Sequence, residues 1–110
     1  MIQDRIDKLQ TAVNDTQNLP EATRAELLRL LAELKAEVGP LEGVHSENVQ
    51  SIAKFAEDSV HEATRKEKDP ELANAAIGGL TASVADFEAS HPQLVQVVNR
   101  IAVTLSNMGI

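Results

Sequence analysis

A chain of 110 residues, 43% of them apolar, has the size and the hydrophobic content of one folded domain, so wholesale disorder is excluded. Its net charge of −7, with acids and bases interleaved, argues against a nucleic-acid binder, which needs a basic face to displace counterions, and against docking on anionic lipid. The absence of cysteine excludes disulfides and thiolate metal sites.

The first helix is expected over Ile2 to Asp15, with Ile2, Ile6, Leu9 and Val13 on one face. It is charged and amphipathic from its first turn, unlike a signal peptide, and a cytoplasmic protein is the expectation. Asn18-Leu19-Pro20-Glu21 reads as a cap followed by a second helix to Val38. Its stripe of Leu27, Leu31, Leu34 and Val38 is widened by Leu28 and Leu30, so two neighbours should cover it. The short gap implies an antiparallel hairpin over residues 2–38. Gly39-Pro40 should end the second helix, glycine adopting the left-handed conformation.

A linker at 39–46 leads to a third helix capped by Ser46 and running over 47–68, with Val49, Ile52, Ala53, Ala56, Val60 and Ala63 inward. The run Arg65-Lys66-Glu67-Lys68 suits a helix C-terminus, or else a site for an acidic partner. Asp69-Pro70 starts a fourth helix, 70–90, carrying Leu72, Ala76, Leu80, Val84 and Phe87. Gly78-Gly79 should kink or break it; the alternative is a close approach by a neighbouring backbone. Ser90-His91-Pro92-Gln93 marks a corner, with Ser90 as cap of a fifth helix over 92–108. Leu94, Val98, Ile101, Leu105 and Met108 form its apolar stripe, which must pack against its own domain or a second copy. Val103 lies nearly opposite that stripe. Nothing alternates with period two, so the class is all-α.

The pattern FE-x-SHP-x-L…N-x-I…LSNMGI, here Phe87 to Ile110, resembles the signature end of a family of small bacterial helical proteins of unknown function. The early helix ATRAELLRLLAELKAEV is similar too. The likeness covers about the first forty and last twenty-five residues, and the middle, Val44 to Gly79, is longer than is typical. It implies a bacterial cytoplasmic source and lends no activity, cofactor or catalytic residue.

Asp58-Ser59-Val60-His61 and Glu88-Ala89-Ser90-His91 each place a carboxylate three residues before a histidine, the spacing used by helical di-metal proteins. At 100° per residue Asp58 points about 180° from Val49 and His61 about 120°, so that pair should face solvent. In the Glu88–His91 pair His91 is better aimed, near the Leu80–Phe87 face, yet it precedes a proline that disfavours helix. A structural part for His91, satisfying an unpaired backbone group at the corner, is the stronger expectation. No serine sits in a nucleophile-elbow setting, and Gly78-Gly79 lacks a phosphate-loop context.

The expected architecture is therefore an all-α antiparallel bundle of four to five helices forming one domain, 1–110, with a corner near Ser90–Pro92. The expected function is a non-enzymatic interaction or structural protein, a homodimer using Leu94, Val98, Ile101, Leu105 and Met108 as packing residues. The alternatives are a small helical metal-binding protein using Glu88 and His91, and an amphipathic protein that coats a surface. No cofactor, nucleic-acid partner or stable membrane insertion is expected.

Overall fold

The computed structural model describes residues 1–17 and 19–108. Five helices, with no strand among the described residues, form an all-α bundle: α1 (Ile2–Asp15), α2 (Glu21–Val38), α3 (Ser46–Thr64), α4 (Pro70–Ser83) and α5 (Pro92–Ser106). A single 3₁₀ turn follows α2 at Gly39–Leu41, and another follows α4 at Ala85–Phe87.

The helices α1 and α2 run antiparallel, and Arg24 closes their corner. Its guanidinium donates to the carbonyls of Val13, Asn14 and Leu19 at 3.0, 2.7 and 3.3 Å. The first two are among the carbonyls that the end of α1 leaves without a helical partner. At its other end, the Ile2 amide donates to Glu42 Oε2 at 2.7 Å. Along its length, Arg5 forks onto Glu57 of α3 at 3.1 and 2.6 Å, and Lys35 of α2 reaches Asp7 at 2.6 Å. The hydrogen bond to Glu57 raises the Arg5 pKa above its already high ordinary value. These ties hold α1 against α2 and α3 while Ile2, Ile6, Leu9 and Val13 are buried between them.

Helix α2 meets α1 on one side and α5 on the other, as the breadth of its leucine face implies. Leu27, Leu30, Leu31 and Leu34 are fully buried. The cap expected at Asn18 lies outside the described residues; Pro20 occupies the position before α2, and no side chain caps it. Gly39 is not left-handed: its φ of −52° and ψ of −53° continue the helical sense, and the chain tightens into a 3₁₀ turn that runs through Pro40 to Leu41.

The third helix begins one residue early, with His45 rather than Ser46 in the capping position. It ends at Thr64, not Lys68, because Arg65 turns extended and Asp69 must lie outside the helix to cap α4. The basic run therefore follows the helix instead of forming its last turn. Asp69 caps as expected, Oδ1 accepting from the amides of Glu71 and Leu72 at 3.1 and 3.3 Å, with Pro70 at the first helical position.

Helix α4 departs most from expectation. It passes unbroken through Gly78-Gly79 and ends at Ser83, where Ser83 Oγ donates to Leu80 O at 2.6 Å and Val84 leaves helical geometry. Its inward face is Ala73, Ile77 and Leu80; Leu72 is 49% exposed. The glycine pair serves close approach, not a kink. A Cβ on Gly79 would collide with the ring of Phe55, whereas one on Gly78 would meet open space. Without a side chain at position 79, α4 lies directly on α3.

At the corner before α5, Ser90 is not the cap: His91 holds that position, and no side chain caps the helix. The helix ends at Ser106, two residues short of the expected boundary. Leu94, Val98, Ile101 and Leu105 are buried to 1% exposure or less against α2, α4 and α3 of the same chain, and Met108 packs at the margin.

The two glycines give a paired prediction. Gly79→Ala should destabilise by about 1–3 kcal/mol through overpacking against Phe55. Gly78→Ala should stabilise by roughly 0.5–1 kcal/mol, since an exposed helix interior gains alanine's propensity without a clash. Urea unfolding of both variants beside the parent chain measures this.

Candidate functional site

The bundle has two functional-looking ends, and α3 and α5 run parallel between them. Both helices begin beside a cluster of rings formed by His45, Phe87 and His91. Both finish at a cleft of about 650 Å³ bordered by Thr64, Arg65, Asn107 and Met108.

The cleft has Arg65, Lys66 and Lys68 on its walls with the apolar Leu19, Ala63 and Met108. Its cations are largely engaged. Arg65 binds Glu62 at 2.8 Å, a hydrogen bond that raises its pKa, and Lys68 donates to the Met108 carbonyl. Lys68 thereby satisfies a carbonyl just beyond the end of α5, where a cation also suits the helix dipole.

The ring cluster is built by two similar turns. After each 3₁₀ turn the chain reads Leu41-Glu42-Gly43-Val44-His45-Ser46-Glu47-Asn48-Val49 and, 46 positions later, Phe87-Glu88-Ala89-Ser90-His91-Pro92-Gln93-Leu94-Val95. Leu41 and Phe87 are both buried; His45 and His91 both occupy the position before the following helix, without a side-chain capping bond. The amide of His45 donates to Leu41 O at 2.8 Å, and that of His91 to Phe87 O at 2.7 Å. Packing is reciprocal: α2 lies on α5 and α3 on α4. The segments 27–64 and 73–108 are thus helix–turn–helix stretches of similar pattern, with α1 packed only on the first. Comparing the chain with itself would have found this.

The rings meet where the two turns lie side by side. Phe87, buried, stands edge-on to His45 with centroids 5.3 Å apart and to His91 at 5.4 Å; the two imidazoles are 6.3 Å apart at 78°. Ser90 Oγ lies 2.9 Å from His91 Nδ1 and fixes that ring. The backbone group expected to take the His91 ring nitrogen is replaced by this hydroxyl.

The sequence-derived carboxylate–histidine pairs do not assemble. Asp58 binds Lys54 at 3.0 Å, and His61 is exposed about 24 Å further along α3 from His45. Glu88 is exposed beside the His91 turn. Among the described residues no three histidine or carboxylate groups converge as a metal cage, and no helix is long and apolar enough to cross a membrane.

Residues 27–110 match the family described as a domain of unknown function, DUF4404. The chain belongs to this family. The match takes in the whole middle segment 44–79 and leaves residues 1–26 outside, so it covers most of α2 and all of α3, α4 and α5. No curated protein and no solved structure matches the chain.

Because His91 packs edge-on against Phe87 and carries the Ser90 contact, His91→Ala should lower stability by about 1 kcal/mol, the scale of one aromatic pair. A drop in thermal midpoint of a few degrees checks it; an unchanged midpoint would remove the ring from the packing of this corner.

Proposed function

We propose that the protein is a non-enzymatic helical interaction protein that associates with a second copy of itself through the side formed by α4 and α5. One observation supports this reading. Across Pro70–Ser83 and Pro92–Ser106 only Glu71 and Arg100 are charged, in a chain whose residues are 25% charged overall. Depletion of charge, not bulk hydrophobicity, is what marks the centre of protein–protein interfaces. Each of these helices exposes one large apolar residue, Leu72 of α4 at 49% and Val103 of α5 at 59%. Val103 is bordered by Gln96, Asn99, Arg100 and Thr104 of its own helix and by Glu26 of α2, an apolar centre with a polar margin.

Leu94, Val98, Ile101 and Leu105 are buried inside one chain, so the surface of α5 open to a second copy is the opposite face. Deleting everything from Ser90 onward would expose the leucines of α2 and yield an insoluble chain whether or not a dimer exists. A surface substitution is the sharper test.

Light scattering on the untagged chain should give twice its 11.9 kDa at micromolar concentration. Val103→Glu, alone or with Leu72→Glu, should return 11.9 kDa with the helical circular dichroism intact. A parent chain that is monomeric across the accessible concentration range would overturn the reading.

A further inference from the structure

We propose that the cleft where α3 and α5 finish binds a small organic carboxylate with a short apolar tail. The inference goes beyond the interaction reading and does not depend on it. It rests on the side chains that border the cleft and on the acids that do not.

A cleft of about 650 Å³ falls within the range of about 300–1,000 Å³ that small-molecule sites occupy. Part of its wall is apolar: Leu19, Pro20, Ala63 and Met108. Leu19 and Met108 are half-buried against the hydrophobic core, so a hydrocarbon chain seated on them would extend that core and leave water. The polar part of the wall includes Gln17, Thr23 and Asn107, which make no side-chain hydrogen bond among the described residues and keep their donors for a bound oxygen.

Charge gives the sign of the ligand. The chain has 17 acids to 10 bases, yet among the described residues the cleft wall holds Arg65, Lys66 and Lys68 and no carboxylate. Of these cations only Arg65 is neutralised, by Glu62. Lys68 donates to a carbonyl, which leaves its charge uncompensated, and Lys66 is exposed with no ion pair among the described residues. The other acids near Arg65 are Glu67 and Asp69. Neither lines the cleft, and Asp69 is committed to the first amides of α4. Helix α2 starts at the same cleft without a side-chain cap, and its positive end opposes the negative ends of α3 and α5. The one guanidinium, the group that grips phosphate with two parallel bonds, is already held by Glu62. What remains are ammonium groups beside an apolar wall, which suits a singly charged carboxylate with a tail.

The test titrates the full-length, untagged chain with sodium octanoate and follows its assigned backbone amide resonances. The signals of Thr23, Thr64, Lys66 and Met108 should move saturably. Shortening the tail toward butanoate should weaken binding about two- to fourfold per methylene removed. Octylammonium, with the same tail and the opposite charge, should leave these signals in place. Lys66→Glu should weaken octanoate binding roughly tenfold, the scale of one hydrogen bond to a charged group. Lys8→Glu makes the same charge change on an exposed position of α1 and should leave binding unchanged. Circular dichroism on each variant separates lost binding from lost folding, and Lys66→Gln replaces the glutamate variant if that one unfolds. Octanoate that moves no signal throughout the millimolar range would overturn the proposal. So would shifts centred on Leu72 and Val103, octylammonium binding in the cleft as tightly as octanoate, or equal losses from the Lys66 and Lys8 variants.

Discussion

The bundle depends on the burial of one face of α5. Leu94, Val98, Ile101 and Leu105 are sealed between α2 and α4, and each such side chain contributes roughly 1.5–3 kcal/mol on leaving water. Together that is about the whole net stability of a domain this size. The helix cannot detach and leave a folded remainder. The core around it contains one buried aromatic, Phe87, and is otherwise aliphatic, so it is filled by bringing helices close together. Gly79 under the Phe55 ring is the clearest instance.

That closeness differs between the two similar segments. In the first, α1 lies against both α2 and α3, tied by Glu42, Glu57 and Lys35. In the second, Ala73 and Ala76 stand where the first has Leu27 and Leu30, and α4 packs directly on α5. The match of the family to residues 27–110 leaves out the whole of α1.

The helices were legible in the sequence wherever a long apolar stripe met a strong stop. Ile2, Ile6, Leu9 and Val13 set α1, and Asp69-Pro70 set the start of α4, because periodicity and capping chemistry act locally. The errors fell where distant contacts decide. Gly78-Gly79 reads locally as a weak point, but the ring that needs the space is Phe55 on another helix. Leu72 belongs to a plausible stripe, yet Ala73 is the residue turned inward, since the face of α4 is chosen by what it packs against. At the ring cluster, His91 could be singled out as the corner residue before Pro92, whereas its spacing from Glu88 does not assemble a site. Its companion His45 could not, because no local rule joins residues 46 positions apart. Arg24, which closes the first corner by reaching three carbonyls, gave no sequence signal beyond an ordinary surface charge.

Helix α4 carries a consequence for motion. Its glycine pair lowers the intrinsic tendency of its second half to stay coiled, its inward side chains are small, and much of what holds it is packing against α3. Its amide protons would then be the earliest to trade with solvent deuterium, through brief partial openings. The amides of α2 and α5, locked by leucine and valine, would wait for the rare unravelling of the entire chain.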